Sequence, residues 1–470
     1  MASGEVSREV PADIGTTADV VVIGAGACGL VAALRAKAAG AEVIVLERDA
    51  SPSGSTAMSS GFVPAPATRF QLARGIDDDT PQRLAADIMA KSQGKSESHL
   101  VKLASETIGP ALEWLADRFG IDWIVLDDFL YPGHSRHRMH AVPEKTGEAL
   151  LARFLAASQA AEIPVVTDAC VIRLFEGKGR RIDAVEVERP DGAREVIGCG
   201  ALVLACNGYG GNPDLVRRYI PEIAGGPYFG HAGNQGDAVL WGEALGARLE
   251  HLSGYQGHGS LAHPQGILIS WALMMEGGIQ VNTEGRRFSN ENGGYSEQAV
   301  EILAQPGGVA WNLYDRRIHD FALSFPDYRQ AVQAGAIRET ADVAGLAKVT
   351  GLPERALAET LSEAAELQAG RAVDRFGRDF TVKPALAPPF HAVKVTGALF
   401  HTQGGLMIDE GARVVDQAGL AFPNLFAGGG AACGVSGPSV SGYLSGNGLL
   451  TAIAFGFIAG ASAGVTASER

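Results

Sequence analysis

The sequence predicts an α/β fold of two domains: a Rossmann-type nucleotide domain assembled from both ends of the chain, and an α+β domain inserted between them. Three observations predict it. Residues 18–47 read as strand, G-x-G-x-x-G turn, helix and second strand ending in an acid. A chain of 470 residues exceeds what one ordinary core organises. The pattern also changes character near His251 and returns to short strands and Gly-rich turns after Pro389.

Taken in order, residues 18–23 form a short apolar strand, GAGACG the turn, 27–39 a helix and 42–46 a strand that ends at Glu47. A helix over 146–161 and a strand at 165–166 continue the alternation. A hairpin over 171–187 leads to a strand at 201–205, which runs into CNGYGGN. In the inserted segment a strand around 278–281 precedes helices at 295–305, 341–350 and 354–368, and three prolines in PALAPPF close it. The apolar run 449–464 is broken by glycines and short for a membrane span, so it reads as a buried helix. The expected domains are 1–250, 251–391 and 392–470, the first and last forming one nucleotide domain.

Composition narrows the function classes. Apolar residues make up 46% and charged ones 20%, an ordinary globular balance, whereas 61 glycines are about twice usual usage. The formal charge of −14 offers no footprint for nucleic acid. Cys28, Cys170, Cys199, Cys206 and Cys433 are odd in number and form no CxxC pair, which implies a reducing compartment and no metal site. The N-terminal stretch has no apolar run of signal-peptide length, so the expected location is cytoplasmic, without membrane insertion.

Each residue of the turn has a physical role. Gly24 permits a tight turn, Gly26 lets a pyrophosphate approach the backbone, and Gly29 allows close helix–strand packing. The helix N-terminus then faces the phosphates with its positive end. Glu47, ending the second strand, is placed to accept ribose hydroxyls, and an acid there disfavours a 2′-phosphate. The bland alternative, a Gly-rich turn alone, does not account for strand, helix, spacing and acid together.

The Ser/Gly segment SPSGSTAMSSGFV, ACNGYGGN at 205–212, NQGDA at 234–238, NTEGRRFSNE at 282–291, HTQGGL at 401–406 and NLFAGGGAACG at 424–434 add a further signal. Together they resemble the FAD-dependent fumarate reductase and 3-ketosteroid dehydrogenase superfamily over essentially the whole chain. The resemblance implies a glutathione-reductase-like FAD domain with an inserted cap, and an active site where the two meet. It also implies flavin contacts at Ser55, Thr56, Ser60 and Gly61, at Cys170 and Val171, at Asn207, Gly208 and Asp237, at Gly429 and Gly430, and at Gly448 and Leu449. No His occurs between Arg48 and Val63, so the expected FAD is non-covalent.

The same resemblance divides the reaction types. Fumarate reductases carry an Arg where this chain has Tyr443, and a second Arg in the turn where it has ENGGYSEQ. Tyr443 and Ser445 are similar to the Tyr-x-Ser of ketosteroid 4-dehydrogenases. In that pattern Tyr443 hydrogen-bonds a ketone oxygen, backbone N–H groups near Gly446 and Asn447 assist, and Tyr295 takes the α-proton. Tyr131 is placed over the substrate, though it reads equally as a packing tyrosine. His401 resembles the carboxylate-binding His of fumarate reductases, which points to an oxo-acid such as 4-oxocyclohexanecarboxylate; a structural His is the duller reading. His134, Arg136, His137, Arg138 and His140 form either a positive lid or a solvated loop, and Arg286 and Arg287 read as bridges between the two domains. The function so read is FAD-dependent desaturation of a cyclic ketone with a separate electron acceptor. The alternatives are an ene-reductase of the fumarate reductase type and a flavin electron-transfer subunit.

Overall fold

In the computed structural model, which describes residues 4–12 and 14–468, the segment 16–46 folds as β1 (Thr16–Ile23), α1 (Ala27–Ala38) and β2 (Val43–Leu46). Val20, Val21 and Val22 of β1 are fully buried, as a central parallel strand covered on both faces requires. Two units emerge from the chain. The first gathers Met1–Tyr219, Gly230–Tyr255 and His401–Arg470; the second gathers Ile220–Phe229 and Gln256–Phe400.

After β2 the first unit continues with α2 (Gly54–Met58), α3 (Gly147–Ala160), β3 (Val165–Val166), β4 (Cys170–Glu176), β5 (Ile182–Glu188) and β6 (Arg194–Leu204). Thr146 caps α3 by accepting the Ala149 N–H, which fixes where that helix starts. The sheet runs Glu5–Ser7, β4, β5, β6, β1, β2, β3. β6 changes partner along its length: residues 194–198 pair antiparallel with β5, and 202–204 pair parallel with the strand Ala421–Ala427. The C-terminal stretch of the chain thereby joins the sheet begun at its start.

The C-terminal helix, Asn447–Ser468, is long and apolar enough to cross a membrane by length and composition, and 61% of its most apolar stretch is buried in the protein. A Cβ on Gly456 would lie 2.5 Å from the Cys28 carbonyl oxygen, and one on Gly460 only 2.1 Å from that of Ala32. Glycines four residues apart fall on one face, so this stripe lets the helix settle against the backbone of α1.

The second unit is built on β7 (Tyr255–Ala262), β8 (Ile279–Val281), α4 (Tyr295–Leu303), β9 (Val309–Asp315), α5 (Val343–Thr350), α6 (Glu354–Gln368) and β10 (Phe390–Thr402). Its sheet runs Ile267–Leu268, β7, β10, β9, β8, with Ile337–Thr340 also on β10. β9 alternates as a strand buried on both faces must. Trp311 and Leu313 pack with Leu346 and Leu357, while Ala310 and Tyr314 pack with Tyr328 and Val393. The stretch after Pro389 opens with one strand of 13 residues, and short strands follow at Gly405–Leu406, Arg413–Val415 and Ala421–Ala427. Gly397 does not break the long strand; a Cβ there would sit 2.1 Å from the Ala299 carbonyl oxygen, so the glycine makes room for α4.

Candidate active site

The turn after β1 is built as its glycines require. Gly24 has φ +105° and donates its N–H to the Leu46 carbonyl at 2.8 Å. A Cβ on Gly29 would lie 1.9 Å from the Gly24 carbonyl oxygen, so helix and strand close only over glycine. Gly26, with ordinary φ, caps α1 without a side-chain bond, and the first turn holds no acid. The Glu47 carboxylate is held by the Ala25 N–H at 2.9 Å and the Asp49 N–H at 3.1 Å.

The Ser/Gly segment comes to the same turn. Thr56 Oγ1 accepts the Ala27 N–H at 3.0 Å, and Ser55 Oγ accepts from Asn207 Nδ2 at 2.7 Å and Asn234 Nδ2 at 3.1 Å. Gly208 donates its N–H to the Asn207 Oδ1. Gly61, at φ +72°, packs on the Thr146 carbonyl, whereas Ser60 is exposed. Cys170 Sγ lies 3.4 Å from the Arg48 guanidinium and Val171 is buried beside it in β4. Asp237 opens the helix Asp237–Leu245, 3.7 Å from Arg48, and burial raises its pKa. Gly429, at φ +57°, lies close to Cys28, and Gly430 is so near Asn207 that a Cβ would fall 2.1 Å from its Oδ1.

The C-terminal turn forms a second cluster in the same unit. His401 and Tyr443 meet edge to face, ring centroids 5.4 Å apart. The His401 ring also covers the start of the C-terminal helix, where a Cβ on Gly448 would lie 3.0 Å from its Cε1. His401 is half-buried, and burial lowers its pKa to about 4, against the Thr402 backbone, which raises it. Gly446, at φ +89°, packs on Pro64; Asn447 is fully buried, its Oδ1 without a partner, and Leu449 is half-buried. No Asp, Glu, Lys or Arg occurs between residues 417 and 468.

His134 donates from Nε2 to the Ser445 carbonyl at 2.9 Å, tying that turn to the 131–140 segment. This segment is neither a positive lid nor a solvated loop. Arg138, fully buried, is bidentate on Asp79 and also bonds Asp87 at 2.5 Å; Arg136 pairs with Asp78. His134 and His140 are buried, which lowers each pKa to about 4 and leaves both neutral. The positive charge is matched by aspartates that the sequence places fifty or more residues away, beyond the reach of local reading. Tyr131 sits edge-on to Phe62 and Phe129 in a small aromatic cluster.

In the second unit Tyr295 is the first residue of α4. Its ring stacks on His258, centroids 5.0 Å apart, and His258 stacks on Phe400 at 5.2 Å. His258 Nδ1 accepts the Ser260 N–H, and burial takes its pKa to about 3, so the ring is neutral. Sequence reading missed His258; its signal is the G-H-G step in β7, where Gly257 and Gly259 let the strand close onto α4. Arg286 and Arg287 do not bridge domains. Arg286 pairs with Glu359, and Arg287 with Glu291 and Asp374, all within this unit, where two acids around one buried guanidinium keep the charge local.

Fold and turn together define a dinucleotide-binding α/β protein. The chain belongs to the FAD_binding_2 family, the FAD binding domain, which matches residues 19–449. A probable fumarate reductase, Ifc3, of Shewanella frigidimarina (strain NCIMB 400) is 28% identical over 470 residues, covering 99% of this chain and 78% of the relative. A 4-oxocyclohexanecarboxylate 2-dehydrogenase of Sinomonas cyclohexanicum is 25% identical over 521 residues, covering 88% and 87%. The crystal structure of 3-ketosteroid-Δ4-(5α)-dehydrogenase from Rhodococcus jostii RHA1 in complex with 4-androstene-3,17-dione shares the fold. Its TM-score is 0.77 at 23% identity, over 98% of this chain and 99% of that one. The protein is thus an FAD-dependent oxidoreductase of the FAD_binding_2 family. Its residues fit that cofactor. The N-cap residue Gly26 makes no side-chain cap, the Glu47 carboxylate is held in place, and Asn447 Oδ1 is a buried acceptor without a donor.

Proposed function

We propose that this oxidoreductase desaturates a cyclic ketone, forming the C=C bond beside the carbonyl. The supporting observation is the contact of Tyr443, in a stretch of chain that carries no charge, with a neutral His401. A dicarboxylate is best held by guanidinium groups. A ketone oxygen calls for uncharged donors, and a phenol and a neutral imidazole are both of that kind. The Tyr443 O–H donates to the ketone oxygen, and the positive end of the C-terminal helix favours the charge that gathers there as an enolate forms. Tyr295 takes the α-proton. A bound FAD would supply the acceptor for the β-hydrogen as hydride, its electrons passing to an external acceptor. Tyr131, with Phe62 and Phe129, supplies apolar surface for a ring substrate.

Turnover of a saturated cyclic ketone with an artificial electron acceptor tests this. The product should lack two hydrogens and absorb as a conjugated enone. A second reading, reduction of an activated alkene, is favoured by the 28% identity to a probable fumarate reductase. It is chosen instead if only the unsaturated compound turns over, and only with a reductant.

A further inference from the structure

We infer that Gln403 holds His401 in a single tautomer, with its proton on Nε2, and so makes it an uncharged N–H donor to a carbonyl oxygen rather than a cationic partner for a carboxylate. The inference rests on the reading that His401 and Tyr443 face the substrate. It comes from a chain of hydrogen bonds inside the first unit. Asn447 Nδ2 donates to Ser436 Oγ at 3.0 Å, Ser436 donates to Gln403 Oε1 at 2.6 Å, and Gln403 Nε2 donates to His401 Nδ1 at 2.9 Å. Asn447, Ser436 and Gln403 are 0%, 1% and 5% exposed, so water does not compete for these groups.

The direction of the chain follows from the amide of Gln403. Its Nε2 also lies 3.5 Å from the Thr402 carbonyl oxygen. A nitrogen at that position turns its second hydrogen toward the carbonyl; an oxygen there would set two acceptors facing one another. With the amide so oriented, His401 Nδ1 can only accept. A neutral imidazole carries one proton, which is then on Nε2. Protonating Nδ1 would set an N–H against the Gln403 N–H, so the same contact opposes the imidazolium. Gln403 is therefore a positioning residue: it acts on the substrate through His401, and with Tyr443 it leaves the site two neutral donors. The group this selects on a cyclic substrate is a carbonyl oxygen rather than a carboxylate.

The experiment uses the FAD-loaded protein with ¹⁵N-labelled histidine and long-range ¹H–¹⁵N spectra, the His401 signals being assigned by their loss in His401→Gln. The expected spectrum shows a bare Nδ1 and a protonated Nε2, unchanged from pH 8 to pH 5.5. In Gln403→Glu the carboxylate accepts instead of donating. The proton then moves to Nδ1, or the ring becomes charged and titrates within that pH range, and ketone turnover falls about tenfold or more. A protonated Nδ1 in the wild-type protein overturns the inference, as does a pattern that Gln403→Glu leaves unaltered. If the variant fails to fold, the wild-type spectrum alone decides. A shifted tautomer with undiminished turnover upholds the role of Gln403 and counts against the placement of His401 at the substrate.

Discussion

Tyr443 is the residue on which the proposed chemistry leans hardest, because it stands four residues before the C-terminal helix, in a stretch without charged side chains, with its ring against His401. Removing one preorganised donor to a developing oxyanion costs about 2.7–4 kcal/mol. Tyr443→Phe is therefore expected to lower kcat by roughly 10²- to 10³-fold while flavin content stays at one per chain; wild-type turnover would remove Tyr443 from the ketone. The complementary change, His401→Ala, is expected to weaken neutral ketones and oxo-acids alike, read as kcat/KM for one of each; a loss confined to the oxo-acid would restore the carboxylate role. The sequence singles out Tyr443, His401 and Glu47 because each sits in a motif with fixed spacing. It does not single out the chain from Asn447 to His401. Its members at 403, 436 and 447 are joined only by folding, and a Gln inside HTQGGL carries no local sign of its partner. The buried pairing of Arg138 with Asp79 was hidden for the same reason.

Among the elements, the glycines separate into two kinds that the motif alone does not distinguish. Gly26 has space for a Cβ, which would meet Thr56 Oγ1 at an ordinary 3.4 Å, so packing alone does not demand a glycine there. Gly29 has none, at 1.9 Å from the Gly24 carbonyl oxygen. Gly26→Val should fold with wild-type thermal stability and bind FAD at least tenfold more weakly, about 1.4 kcal/mol. Gly29→Val should lose stability itself. Equal FAD affinity in Gly26→Val would contradict the phosphate role. The stripe on the C-terminal helix makes a related case: Gly460→Leu should cost about 1–3 kcal/mol or more in a denaturant melt, through overpacking against Ala32. β1, α1 and β2 were legible to within about two residues, since apolar alternation and the turn mark both ends. β10 was not, because Gly397 looks like punctuation until α4 is seen to lie against it.

At the scale of the whole molecule, burial of histidines sets the response to acid. Burial lowers the pKa of His134, His140 and His401 from 6.5 to about 4, and that of His258 to about 3. In the unfolded chain these rings take up protons near pH 6.5, while in the folded chain they stay neutral. Stability is therefore intact above pH 6.5 and declines as pH falls toward 4, by about 1.4 kcal/mol per unit for each ring. Urea midpoints should drop clearly between pH 7 and pH 5; equal midpoints would show that the rings are not held neutral. The fold class and the cofactor were both legible, since a dinucleotide turn and several flavin motifs recur in order. The substrate was less so, because it depends on side chains that only the fold brings together. The most direct test of the central claim is anaerobic mixing of the oxidised FAD-loaded protein with a saturated ketone, using 4-oxocyclohexanecarboxylate beside a 3-ketosteroid, while following flavin absorbance. The expected result is rapid bleaching by at least one of them. No bleaching by either, together with reoxidation of the reduced protein by an enone or an unsaturated acid, would contradict the desaturase and identify a reductase.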